Sequence, residues 1–385
     1  MSNATLTTLH KSVNWFKATG TVSEKYSIIK NNNGTYERVP MFAEKTTRDE
    51  YKDGQKTGKT IPCEKIFGGV VLKTKDGVCE FKVNFNSKNA DGSDNKKWPM
   101  AMKILNWNPT IGGDSERPAS YITMSGSVSN YDSYSEKKNE VYNNLQWSAS
   151  VKCENAERVE FEDGVDNSGC TLHVVGFLAS KVWEPDRNDP EETTGRMKVK
   201  LMLGDNNGEC FPLNVIVDEE LAEDFNDAFE TGETIDCMFD RIVRTVGGKK
   251  KETGRGLGKK KGPSQELNNG FTIEELVLNS VEPVDEPDEL TTEDENGNEI
   301  EVKTNWINPK TMRMAMKIRE EKLNELKANG GKRNKPAGSA GSIADAINES
   351  KKKLGKKNKF EDFEDFDDEV DDDTDFFSDD SDDPF

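Results

Sequence analysis

Between residues 168 and 285 strand-like runs and turn signals follow one another, one of them alternating with period two, and this limits what the stretch can become. Side chains two apart on a strand share a face, so an alternating run buries one side. Leu172 to Trp183 reads as a first strand, followed by a polar loop. In the second run, Arg196-Met197-Lys198-Val199-Lys200-Leu201-Met202, the cations share one face and Met197, Val199 and Leu201 the other. Asp205-Asn206-Asn207-Gly208 turns the chain into a third strand, Cys210 to Val217. A helix follows. Asp218 is placed to cap it, Glu219 and Glu220 suit the positive end of its dipole, and Leu221, Phe225, Ala228 and Phe229 form its apolar face. Gly232 is placed to stop it. Thr234 to Val246 and Phe271 to Val284 complete the set.

Three strands, a helix and two strands is the order of an OB-fold, a five-stranded Greek-key barrel; spacing alone also fits another small β-barrel. Upstream, Val13 to Ile28, Ile66 to Lys73, Val78 to Phe85, a helical segment Trp98 to Trp107, Tyr121 to Tyr134 and Leu145 to Glu154 predict a second, decorated copy, with a polar excursion up to about Pro62. The expected fold class is therefore mainly β: two OB-fold-like Greek-key barrels, then a short helix and a disordered acidic C-terminal tail. The predicted boundaries are 1–160 for the decorated domain and 168–285 for the second barrel. An acidic linker with a helix over Lys310 to Lys327 is expected in 286–330, with Asn296-Gly297 as a hairpin turn, and a basic-then-acidic tail in 331–385.

Only 32% of the residues are hydrophobic, against roughly 45–50% in an ordinary domain on a count that includes glycine, so part of the chain lies outside any core. The net charge of −20 is uneven: Glu361 to Phe385 holds fifteen carboxylates and no Lys or Arg, leaving −5 on residues 1–360. The low pI therefore does not argue against a nucleic-acid ligand. Cys63, Cys79, Cys153, Cys170, Cys210 and Cys237 stand singly, without zinc spacing, and read as buried thiols in a reducing compartment. No apolar stretch reaches the ~18 residues of a membrane helix, and no signal pattern opens the chain; a soluble, cytoplasmic protein is expected. With two histidines and no Cys-His or Ser-His arrangement, neither catalysis nor a cofactor or metal is expected.

Single strands are held by a basic groove with aromatic platforms for the bases. Arg196, Lys198 and Lys200 supply cations outside the second barrel, Arg241 stands on its fourth strand, and the loop between its last two strands carries Lys249, Lys250, Lys251, Arg255, Lys259, Lys260 and Lys261 against Glu252. Lys73, Lys75 and Lys82 give the first barrel a smaller basic face. Trp183, Tyr131 and Tyr134 are the aromatic candidates; Phe81 and Trp147 fit a core better, as strand aromatics usually do. The bland alternative for the Lys/Gly loop, a solvated hairpin tip, is less attractive because the run sits where an OB-fold borders its ligand.

The chain closes on Asp379-Asp380-Ser381-Asp382-Asp383-Pro384-Phe385. This ending resembles that of bacterial single-stranded DNA-binding proteins and their tailed-phage analogues. The resemblance implies OB-folds that hold single-stranded DNA in replication, recombination or repair. It also implies a tail that presents Phe385 as an anchor, Pro384 as a stiffener, and Asp382 and Asp383 as acids for a basic rim on a helicase, polymerase, primase or nuclease. Asp383 departs from the family, which has an aliphatic residue there. Two barrels and a long tail point to a phage protein acting in the host cytoplasm or nucleoid. Phe363, Phe366, Phe376 and Phe377 among the acids also suit a tail that competes with DNA for its own groove. Rival readings are an RNA-binding OB protein and an acidic chaperone or DNA mimic.

Overall fold

The computed structural model describes residues 9–330 apart from 32, 53–54, 151–165, 187–188, 190–191, 206, 247–270, 289–290, 294–298 and 302–303. Its first half runs β1 (Asn14–Lys30), β2 (Tyr36–Pro40), β3 (Glu44–Lys52), β4 (Gln55–Thr74), β5 (Gly77–Asn86), α1 (Trp98–Asn106), β6 (Tyr121–Ser135) and β7 (Glu140–Ala149). β1 pairs with β4 and β6, β4 with β5, and β6 with β7, all antiparallel, and β5 meets β7 in parallel at Lys82 and Ser148. The ring β1-β4-β5-β7-β6 is closed.

The second half gives β8 (Gly169–Pro185), β9 (Thr193–Gly204), β10 (Cys210–Val217), α2 (Glu219–Ala228), β11 (Thr234–Val246) and β12 (Phe271–Pro283). β8 pairs with β9 and β11, β9 with β10, and β11 with β12, while β10 meets β12 in parallel at Ile216 and Val277. The ring β8-β9-β10-β12-β11 repeats the first one strand for strand, with the helix at the same place. Both are OB-fold barrels.

One device recurs in both barrels. The first strand carries a bulge, between Val22 and Glu24 in β1 and between Leu178 and Ser180 in β8, and the next residue is a lysine. Lys25 donates to the carbonyls of Ile104 and Leu105 at 3.1 and 2.6 Å, and Lys181 to those of Asn226 and Phe229 at 2.5 and 2.6 Å. Each ammonium thus satisfies acceptors at the end of its barrel's helix, where the dipole favours a cation. Burial, and then the charge of Arg117, lower the pKa of Lys25.

The barrels share a sheet, because β1 pairs antiparallel with β8 from Asn14↔Val174 to Thr19↔Gly169. Phe16, Phe81 and Trp147 pack ring against ring in the first core, with Phe16 and Phe81 stacked at 5.0 Å. Trp147 Nε1 then crosses to the second barrel, donating to Glu274 Oε1 at 2.9 Å.

Three local expectations change. The polar excursion before Pro62 is β2, β3 and the first part of β4; these strands stand out from the barrel with both faces largely exposed, so no alternation betrays them. On α2 the buried residues are Ala222 and Phe225, with Phe229 at the end, while Leu221 and Ala228 are exposed. Asp218 occupies the cap position, but its carboxylate is taken by Arg196 and makes no cap bond. Further along, β13 (Thr291–Glu293) and β14 (Glu299–Glu301) form the acidic hairpin, and α3 (Pro309–Ala328) follows, capped by Asn308, whose side chain accepts from the Lys310 and Thr311 amides. Cys63, Cys79, Cys170, Cys210 and Cys237 are buried free thiols; Cys153 lies outside the described residues. No helix among the described residues is long and apolar enough to cross a membrane.

Candidate nucleic-acid interface

The repeated lysine aligns the barrels residue by residue. Lys25 faces Val70 on the second strand of one barrel and Lys181 faces Val199 on that of the other. Three positions earlier stand Phe67 and Arg196. Both point outward on the face formed by strands two and three, where OB-folds take their ligands.

In the second barrel that position is crowded with acid. Arg196 Nε lies 3.0 Å from Asp218, Nη2 3.3 Å from Glu275 and Nη1 3.5 Å from Glu184, and Lys198 reaches Glu184 at 3.7 Å. Burial opposes the charge of Arg196, but Glu275, Glu184 and Asp218 together raise its pKa. Lys200 is half-buried, and burial lowers its pKa. Arg196 and Lys198 of the cationic row expected from sequence therefore stand on the outer face in internal ion pairs, with Lys200 half-buried beside them. Any phosphate would have to displace three carboxylates.

Position 67 in the first barrel is different. The Lys65 ammonium lies 4.4 Å and that of Lys82 5.6 Å from the centre of the Phe67 ring. Beside it, the Arg38 guanidinium sits 4.1 Å from the centre of the Tyr26 ring, and the Tyr26 hydroxyl donates to Glu80. Burial, followed by that hydrogen bond, pushes the Tyr26 phenol up. Gly69 is required here: a Cβ would come within 2.5 Å of the Tyr26 hydroxyl, so only glycine lets the ring lie over the sheet. Phe67, Lys82, Tyr26 and Gln146 line an open cleft of about 400 Å³ between this face and the second barrel. An aromatic ring attended by two ammonium groups offers a base a stacking surface and its phosphates two counter-charges.

Beyond the cleft the outer face continues along β7 to the β6–β7 ribbon. Tyr131 pairs with Asn144 and Ser133 with Tyr142, so Tyr131 and Tyr142 are diagonal neighbours on one face, 56% and 38% exposed. Tyr134, opposite Val141, points to the other face, its hydroxyl donating to Asn139. Of the two tyrosines expected as stacking candidates, Tyr131 is on this face and Tyr134 on the other. Tyr142 takes the vacated place.

The remaining expected residues separate by environment. Lys73 and Lys75 are exposed, and Lys73 shares the outer face with Phe67 and Lys82. The Val243 amide donates to the Asp76 carbonyl, which sets the foot of the second barrel's last hairpin beside the Lys73–Lys75 turn. The loop bearing Lys249, Lys250, Lys251, Arg255, Lys259, Lys260 and Lys261 lies outside the described residues, as do Asp382, Asp383, Pro384 and Phe385. Trp183 does not stand free: it is half-buried and packs against the core.

Arg241 must be withdrawn as a phosphate ligand. It is 4% exposed, forks onto Glu274 with two bonds of 2.9 Å and lies 4.2 Å from the Trp147 ring centre. It fastens the second barrel to the core of the first. Phe67 was missed because Ile66 to Leu72 reads as one unbroken apolar run, which hides the face each residue takes. The Lys65-x-Phe67 spacing was the available signal.

The family model YorF matches residues 30–329. The chain belongs to the YorF family. A comparison of this YorF-family sequence with curated proteins gave no match. Among solved structures, a deletion mutant of the single-stranded DNA binding protein from Thermus aquaticus is 13% identical, covers 72% of this chain and 98% of its own, and has a TM-score of 0.35. The wild-type protein is 12% identical, with 72% and 96% covered and a TM-score of 0.34. A likeness that distant assigns no ligand. Among the described residues there is no cluster of His, Cys, Asp or Glu suited to a metal.

Proposed function

We propose that this YorF-family chain binds single-stranded DNA without sequence preference, threading it over the outer face of the first barrel and recruiting replication, recombination or repair proteins through its acidic tail. The observation that carries the reading is Phe67 with Lys65 and Lys82 around its ring, on the strands an OB-fold uses for its ligand. The Arg196 row, tied up by Glu184, Asp218 and Glu275, supports the first barrel as the main stacking surface. The seven cations between Lys249 and Lys261 supply backbone attraction that needs no fixed base contact.

A filter-binding titration with oligo-dT over a range of salt tests this. The expected log–log slope is about −0.7 for each phosphate neutralised. Equal affinity for duplex DNA would refute the reading, and tighter binding of the matching RNA would move it to an RNA ligand. The tail reading has its own test. Removing 361–385 is expected to raise affinity at low salt, since fifteen carboxylates then no longer compete for the cations. Unchanged affinity rejects that competition, and a pull-down comparing the chain with and without 361–385 tests recruitment separately.

A further inference from the structure

The β6–β7 ribbon outgrows its barrel. β6 pairs with β1 only up to Gly126, and Asn14 then grips both the amide and the carbonyl of Val128. From there outward β6 pairs with β7 alone, and a two-stranded ribbon is marginal by itself. A second anchor exists. Arg319, on α3, places Nη2 2.6 Å from Asp132 Oδ1 and donates from Nη1 to the Cys210 carbonyl at 3.1 Å. The two side chains are largely buried, 15% and 17% exposed. The Asn143 amide donates to the Pro212 carbonyl at 3.3 Å, and Lys322 pairs with Glu209 at 2.5 Å. α3 is itself fixed: Met312 is fully buried and Ile307 exchanges two hydrogen bonds with the Thr234 hydroxyl. One guanidinium therefore joins the ribbon of the first barrel, α3 and β10 of the second barrel. Asp132 and Asn143 occupy the latched face, so Tyr131 and Tyr142 stand on the opposite one.

We propose that Arg319 is a positioning residue for strand binding, latching the ribbon so that Tyr131 and Tyr142 form a fixed stacking platform. This rests on the single-strand reading above. A loose ribbon must be ordered at each binding event, whereas a latched one has met that cost on folding.

The experiment uses the full chain. Arg319→Ala is expected to speed amide exchange across the outer ribbon and to weaken oligo-dT binding about tenfold, an order consistent with a few side chains left to be ordered. Arg319→Lys, which keeps the charge but loses the fork, is expected to fall between, and serves if the alanine variant does not fold. The reciprocal swap, Arg319→Asp with Asp132→Arg, restores the ion pair but not the bond to the Cys210 carbonyl, and is expected to recover both readouts in part; no recovery of either overturns the ion pair as the latch. Wild-type affinity in Arg319→Ala overturns the latch. So does wild-type affinity in the double variant Tyr131→Ala, Tyr142→Ala, and in either case binding through Phe67 still stands. Failure of the unaltered chain to bind oligo-dT overturns both.

Discussion

Replacing Phe67 by alanine, together with Lys65 and Lys82 by glutamine, is expected to weaken oligo-dT binding roughly 100- to 1,000-fold. One lost base stack accounts for about 1–3 kcal/mol of that, and two lost phosphate partners for most of the rest. The slope of log affinity against log salt should fall by about 1.4 at the same time, since two cations at about 0.7 each are removed. The fold should survive, because Phe67, Lys65 and Lys82 stand outside the barrel wall while Ile66, Val70, Phe81 and Val83 fill it. A circular dichroism melt run beside the titration separates the two effects. A triple variant that melts like the unaltered chain and still binds with full affinity would remove the first barrel from the interface. The mirror experiment, Arg196→Ala, is expected to cost far less affinity, because that guanidinium already has three carboxylates for company.

Arg241→Ala should act on stability and leave affinity nearly alone. The side chain is 5% exposed, and its loss strips Glu274 of a two-pronged partner and uncovers the Trp147 ring. Removing one partner of a buried pair costs about 3–5 kcal/mol; Glu274 is 39% exposed, so a value near ~3 kcal/mol is expected. Arg241→Met, which refills the space without the charge, should be milder. Urea unfolding of the two variants against the parent gives the numbers. Undiminished stability coupled to a large loss of DNA affinity would return Arg241 to the phosphate-binding set.

The second barrel was legible because the first part of β9 buries one face: Met197, Val199 and Leu201 face inward and Arg196, Lys198 and Lys200 outward, as their alternation requires. The order of elements then fixed the topology. Two kinds of information were hidden. A ribbon such as β3, exposed on both faces, has no apolar period to read, so it passed for loop. The fate of a charge was hidden as well, because alternation says that Arg196 points outward but not that Glu184, Asp218 and Glu275 converge on it from β8, the start of α2 and β12. Arg241 is the reverse case: it stands on the same face as the buried Ile235, Cys237 and Phe239, so the alternation itself pointed it away from solvent. The two barrels matched in pattern but not in sequence, and their residue-by-residue equivalence becomes plain once Lys25 and Lys181 are seen to grip their helices in the same way.

The seam between β1 and β8 also bears on how the chain comes off the ribosome. From Phe16 to Thr19, β1 has β6 on one edge and β8 on the other, and the partner of Lys17 on β8, Thr171, lies 154 positions downstream. At ordinary rates of synthesis that gap is on the order of ten seconds. Throughout it the nascent first barrel holds an unpaired strand edge, a template for pairing with a neighbouring chain. A fragment cut between the barrels would keep that edge permanently, so the amino-terminal half expressed alone is a poor stand-in for the intact molecule.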